Sequence, residues 1–201
     1  MTKTVFPPAI PSRPVYGVLT LQSGPAHLIV ADGEGAAAVV KMLAGADIPA
    51  GCHILYTPGP NGCDQTADLR ALHGVQLFRS PSIATLLPRL QKLLADAHMG
   101  VRIYAAGTEG LIAQVARAAA DAGFPYEAVQ TEHRGSTLRR VQCVHCKGIT
   151  ENVAFDPFPC SHCGLQLFVR DHFSRRHAAF QGVNIDAEDP GLVPAAVERF
   201  R

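Results

Sequence analysis

Between residues 27 and 133 short apolar runs alternate with segments whose apolar residues recur at helical spacing. HLIVAD (27–32), HILYTP (53–58), VQLFRS (75–80), VRIYAAG (101–107) and YEAVQTEH (126–133) each read as a strand, and the continuous apolarity of the first implies burial on both faces. Between them lie four helical patterns. GEGAAAVVKMLAG stops at Gly45, and ADLRALHG is short. SIATLLPRLQKLLADAH has Ser82 as N-cap and Pro88 as a kink or late start, and TEGLIAQVARAAADAG opens at Thr108 and closes at Gly123. This alternation predicts a doubly wound, mostly parallel five-stranded α/β sheet with right-handed crossovers. Such sheets bind ligands at the carboxyl ends of their strands.

After Gly135 the pattern changes. Residues 136–201 contain no long amphipathic helix, but they do contain clustered cysteines, a hairpin-like stretch (LQLFVRDHF) and an acidic tail interrupted by proline and glycine. The expected organisation is an N-terminal arm (1–26, Pro-rich and extended over 1–14), an α/β domain (27–135) and a small zinc-ribbon or rubredoxin-like module (136–201). Cys143, Cys146, Cys160 and Cys163 have the spacing C-x2-C-x13-C-x2-C, in which each pair makes a tight turn aiming two sulfurs at one point. Gly148 and Gly164 follow the two turns, where a left-handed backbone costs glycine little. The module is too small to bury a core of its own, so a shared metal would supply much of its folding energy. Zinc is expected because it fills four-thiolate structural sites most often; iron is the alternative, since Pro159 to Gly164 resembles a rubredoxin knuckle, and Phe155, Phe158 and Phe168 would either shield iron or form the module's core. His145 and His162 lie inside the turns and are expected to be exposed, and Cys52 and Cys63 are expected to be unpaired thiols.

Composition sharpens this picture in two ways. Net charge is +1, which argues against a general nucleic-acid binder, yet residues 134–177 carry seven Lys/Arg against three acids. Arg170, Arg175 and Arg176, with His172 and His177, are therefore read as a docking surface for a partner subunit, set beside a metal-stiffened module. No apolar run reaches the roughly 18 residues of a membrane span, and the N-terminus is broken by four prolines rather than carrying a signal-peptide core. A cytoplasmic location is expected, where thiols stay reduced.

The stretches Leu28 to Ala38 and Tyr104 to Ile112 resemble the two turns of the pyridine-nucleotide module in ferredoxin-reductase-type flavoenzymes, above all oxygenase reductases. That resemblance implies cofactor contacts at Gly33, Gly35, Gly107 and Thr108. Four departures stand against it. Asp32 and Glu34 put negative charge where a pyrophosphate would approach, Ala106 stands in place of the family's cysteine, no flavin barrel is expected ahead of the domain, and no plant-type iron–sulfur spacing is present. The alternative is a scaffold retained for assembly. The run from Val169 to Val183, continued by Asp186 to Gly191, joined to the cysteine module and the reductase-like domain, resembles the DmmA-type subunit of bacterial dimethylamine monooxygenase. The resemblance implies an accessory subunit of a multicomponent assembly that uses NADPH and O2 to convert dimethylamine to methylamine and formaldehyde. NADPH, flavin and haem are then expected on partner reductase and oxygenase chains, and the isolated chain is expected to be inactive. A rubredoxin-like iron electron-transfer subunit and a free-standing NAD(P)-binding oxidoreductase are the competing readings.

Overall fold

A computed structural model describes residues 13–48, 51–59 and 62–201. The first sheet consists of β1 (His27–Asp32), β2 (Cys52–Thr57), β3 (Val75–Arg79), β4 (Arg102–Gly107) and β5 (Val129–His133), all parallel in the order β3-β2-β1-β4-β5. The helices α1 (Gly35–Leu43), α2 (Thr66–Arg70), α3 (Ile83–Ala95) and α4 (Glu109–Asp121) connect them. Because side chains alternate across a strand, one face gives Leu28, Val30, Leu55, Ile103 and Ala105 to a core closed by α3 and α4. The opposite face gives Ile29, Ala31, Ile54, Tyr56 and Tyr104 to α1 and α2. The doubly wound sheet expected from the alternation is thus present.

The caps explain the helix boundaries. Ser82 accepts from the Thr85 N–H while Thr85 returns a bond to the Ser82 backbone, so the Ser82 start is a capping box and α3 runs on through Pro88. Thr108 accepts from the Leu111 N–H at the start of α4. Two expectations need correction. The fifth strand begins at Val129, because Tyr126–Ala128 form a 3-10 turn after Pro125, and α2 is a single short turn of helix ending at Arg70.

Residues 1–12, most of the expected proline-rich arm, lie outside the described residues. Residues 13–26 have almost no regular structure of their own but are tied to the β5 edge and to Tyr104. Gly17 N–H donates to the Thr131 carbonyl, Leu19 N–H to the Glu132 carboxylate and Gln22 N–H to the Tyr104 hydroxyl. This covers an edge strand that would otherwise present open hydrogen-bonding groups.

The second sheet combines β6 (Arg139–Cys143), β7 (Ile149–Val153), β9 (Phe158–Pro159), β10 (Gln166–Ser174) and β11 (Ala179–Asn184) in the order β7-β6-β11-β10-β9; β8 (Phe155–Asp156) pairs with β12 (Val197–Glu198). The hairpin-like stretch is the first arm of the antiparallel β10–β11 pair, which is bulged between Arg170 and Phe173. Contrary to expectation, this module has a core of its own: Val141, Val153, Phe158, Leu167, Val169, Phe180 and Phe200, with Cys143 and Cys160 among them. Of the three phenylalanines considered as iron shields, Phe155 is exposed.

Candidate metal centre

The two cysteine turns face one another across the ends of β6–β7 and β9–β10. In the first, the Cys143 N–H donates to the Gly148 carbonyl and the Lys147 N–H to the Cys143 carbonyl; in the second, Cys160 N–H donates to Leu165 and Gly164 N–H to Cys160. The four sulfurs all lie within 4.8 Å of one another. Cys143 Sγ and Cys163 Sγ are 3.9 Å apart, and Cys146 Sγ and Cys160 Sγ 3.7 Å. A tetrahedron built on metal–sulfur bonds of about 2.3 Å has edges of about 3.8 Å, so the donor set fits a four-thiolate ion.

The electrostatics point the same way. Burial pushes the Cys160 thiol up, but the N–H groups of Cys163 and His162 and the neighbouring thiols outweigh it and hold Cys160 at about 6. The Leu165 N–H lowers Cys163, yet burial and the other three thiols together push it to about 12. Four thiolates thus repel unless a cation joins them, and binding one expels the remaining protons. Cys143 and Cys160 are buried whereas Cys163 is exposed, so one edge of the cluster faces outward.

The glycines play different parts from those expected. Gly164 has φ +75° as anticipated, but in the first turn it is Lys147 that is left-handed, with φ +65°. Gly148 is required because a Cβ there would lie 2.5 Å from the His162 ring. His162 is exposed at its edge and bonds the Ile149 carbonyl at 2.9 Å, and His145 is exposed. Cys52 is buried in β2, which raises its thiol to about 11. Cys63 stands beside Gly59 and Gln65.

Gly33, Gly35, Gly107 and Thr108 do come together, at the carboxyl ends of β1 and β4, but their space is taken by the protein itself. The Thr108 N–H and hydroxyl donate to the two oxygens of the buried Asp32 carboxylate at 2.8 and 2.6 Å. A Cβ on Gly107, whose φ is +136°, would lie 1.7 Å from that carboxylate, and one on Gly35 would lie 2.1 Å from the Ala106 carbonyl. The gap beside Gly33, bounded by Cys63 and Arg134, is only about 30 Å³. An open cleft of about 380 Å³ lies instead on the α3–α4 side, between Asp32, Thr57 and the start of the second sheet.

The basic segment divides in two. Arg134 pairs with Glu132, Arg139 with Asp171 and Arg140 with Glu151, while Lys147 donates to the Val144 carbonyl. Arg139 is also sandwiched, with its guanidinium 3.9 Å from the Phe180 ring centre and 4.3 Å from that of Phe200. Among the described residues Arg170, Arg175 and Arg176 form no ion pair, and Arg175 stacks 4.0 Å over Tyr126. Beside Arg175 and Arg176 runs a groove of about 160 Å³ floored by Ala113, Ala116 and Phe173. Asp171, which bonds both Arg13 and Arg139, and Thr57 were not singled out from the sequence, because nothing in local spacing brings residue 171 to residue 13. Among the described residues no helix is long and apolar enough to cross a membrane.

Comparison with known proteins bears on both sheets. Residues 8–129 match the family described as "Dimethylamine monooxygenase subunit DmmA-like, N-terminal domain", and residues 140–183 match "Dimethylamine monooxygenase subunit DmmA-like, C-terminal domain". A curated relative, the "Heme-dependent oxidative N-demethylase delta subunit" of Ectopseudomonas mendocina (strain ymp), is 31% identical over 143 residues, which are 69% of this chain and 82% of the relative. Among solved structures, the siderophore-interacting protein SipS from Aeromonas hydrophila matches with a TM-score of 0.42 at 20% identity, over 56% of this chain and about half (51%) of its own.

Proposed function

This chain belongs to the dimethylamine monooxygenase subunit DmmA-like family, and on that premise we propose that it is an accessory subunit of an oxidative N-demethylase. The reaction proposed for the assembly is oxidation of dimethylamine: one O2, one NADPH and one proton convert it to methylamine, formaldehyde, NADP+ and water. In this reading the reductase and the haem-containing oxygenase are other chains, in the same cytoplasmic compartment. One observation carries the accessory role: the Asp32 carboxylate occupies the turn where a nucleotide pyrophosphate would meet the strand ends, held there by Thr108. A buried anion at that point repels phosphate.

Cys143, Cys146, Cys160 and Cys163 hold one zinc ion in this proposal. When bound, a four-thiolate zinc has no open position and supplies rigidity rather than chemistry. Arg170, Arg175 and Arg176 then hold the chain to an acidic segment of a partner subunit, and the apolar groove between α4 and Phe173 receives a side chain from it.

The test is co-expression with the other subunits of the assembly. The wild-type chain should co-purify with them and carry one zinc per chain, and the purified chain alone should leave NADPH unoxidised in the presence of a simple electron acceptor. Arg175→Ala with Arg176→Ala should release the partner while retaining the zinc. Turnover by the isolated chain would overturn the accessory role, and stoichiometric iron with a red charge-transfer absorbance would replace zinc by an electron-transfer centre.

A further inference from the structure

The acidic tail has no part in the function proposed above. Residues 185–196 carry Asp186, Glu188 and Asp189 and no Lys or Arg. Among the described residues none of these three acids has an ion-pair partner. The loop is nevertheless held in shape. Ile185 N–H donates to the Gln166 carbonyl, Gly191 N–H to the Asp186 carboxylate at 3.0 Å and Leu192 N–H to the Asp189 carbonyl. Next to the acids, Leu192 is 71% exposed and Val193 38%. Apolar side chains beside unpaired charge, on a loop that is already ordered, suit a docking element, because little conformational freedom is left to lose on contact.

The groove on α4 has the complementary chemistry. Its floor is apolar, and its volume of about 160 Å³ suits single side chains rather than a cofactor. Arg117 on its wall is paired with Asp121 at 3.6 Å, which leaves the positive charge of Arg175 and Arg176 unbalanced. Within one chain the two features lie apart. The arginines stand in the turn between β10 and β11, whereas the tail leaves β11 at Asn184, beside the start of β10. The six residues of Ala179–Asn184 put roughly 20 Å between them. Residues 1–12, which lead in sequence to Pro14 at the groove wall, carry Lys3 and no acid, so their charge does not match the site.

We propose that the acidic segment seated on this groove is residues 186–193 of a second copy of the chain. Asp186, Glu188 and Asp189 of one copy pair with Arg175 and Arg176 of the other, and Leu192 enters the groove against Ala116 and Phe173. Because the two features sit at opposite ends of one hairpin, two hairpins laid antiparallel about a twofold axis form the contact twice and close the pair. Each contact is small, but closure makes the second one intramolecular. The inference rests on the reading of Arg175 and Arg176 as a docking surface, and it names the partner.

The experiment is sedimentation velocity of the purified full chain over a range of concentration and salt. The wild-type chain should be a dimer that weakens as salt rises. Leu192→Ala should weaken it about a hundredfold, tenfold for each of the two contacts. Glu188→Lys with Asp189→Lys, and separately Arg175→Glu with Arg176→Glu, should each be monomeric, since both place like charges at the contact. Mixed one to one, these two variants should form a heterodimer, because the normal tail then meets the normal groove and the reversed tail meets the reversed groove. Recovery on mixing also shows that neither variant has lost its fold. A wild-type chain that stays monomeric up to about 0.1 mM, a dimer that survives either charge reversal, a mixture that stays monomeric, or growth into open chains would overturn the inference. A dimer that does not co-purify with N-demethylase subunits would sink the subunit reading and leave this inference standing. A monomer that co-purifies with them through Arg175 and Arg176 would do the reverse and give the groove to an acidic segment of another chain.

Discussion

A single methyl group tests how the two cysteine turns are locked together. Gly148→Ala would bring its Cβ to 2.5 Å from the ring of His162, so either the ring or the knuckle has to move. Overpacking of this kind costs about 1–3 kcal/mol. We expect thermal unfolding of the metal module to shift down by that amount, with His162→Ala in the same chain recovering most of it; loss without recovery would show that the backbone, not the ring, is the obstacle. Charge at the residue scale gives a pH expectation. The Asp64 carboxylate accepts from the Thr66 hydroxyl, from Arg79 at 2.8 Å and from the Thr66 N–H, and these bonds lower it to about 2. Its folded value lies below the unfolded one, so its contribution is present above about pH 4 and is lost as pH falls toward about 2. The Thr66 amide resonance, followed by NMR, should titrate in that window and lose the transition in Asp64→Asn. The convergence of the four cysteines was legible from spacing, because each pair is local. The His162–Gly148 contact was not, since it depends on how the two turns meet across 14 residues.

At the scale of elements, the strands and helices up to His133 could be read because each carries its own period and its own stop. Ser82 is the clearest case: its hydroxyl and that of Thr85 satisfy each other's backbone N–H groups. Ser82→Ala should cost about 1 kcal/mol of stability by denaturant titration, as N-cap removals do, and an unchanged midpoint would mean that α3 is held by Leu86, Leu90 and Leu94 alone. The expectation failed where no period exists. Pro125 fixes the backbone ahead of Tyr126 and a 3-10 turn follows, although the residues themselves suit a strand. The two-residue strands β8, β9 and β12 carry no pattern at all and exist only through their partners. The core of the second sheet was missed for a related reason. Val141, Val153, Leu167 and Phe180 are spread over 40 residues, and the β6–β7 and β10–β11 pairs that carry them are joined by the parallel pairing of β11 with β6.

On the scale of the whole molecule, the metal module and the parallel sheet should respond differently to loss of metal. Cys160→Ser, or treatment with a strong chelator, should release the proposed zinc and raise hydrogen exchange across residues 141–183, leaving β1, β2 and β4 protected. Exchange rising equally in both sheets would contradict a separately stabilised module. The two parts are nevertheless stitched together: besides the stack of Arg175 on Tyr126, Asp171, in β10, bonds Arg13 from the segment ahead of the first sheet and Arg139 at the start of the second, and Arg139 lies between Phe180 and Phe200. The family's two matched stretches, 8–129 and 140–183, are therefore not interchangeable cassettes. A chimaera joined at residue 140 would take Asp171 and Phe180 from one parent and Arg13 and Arg139 from the other, so a breeder of hybrid subunits would have to transplant the arginines along with the module.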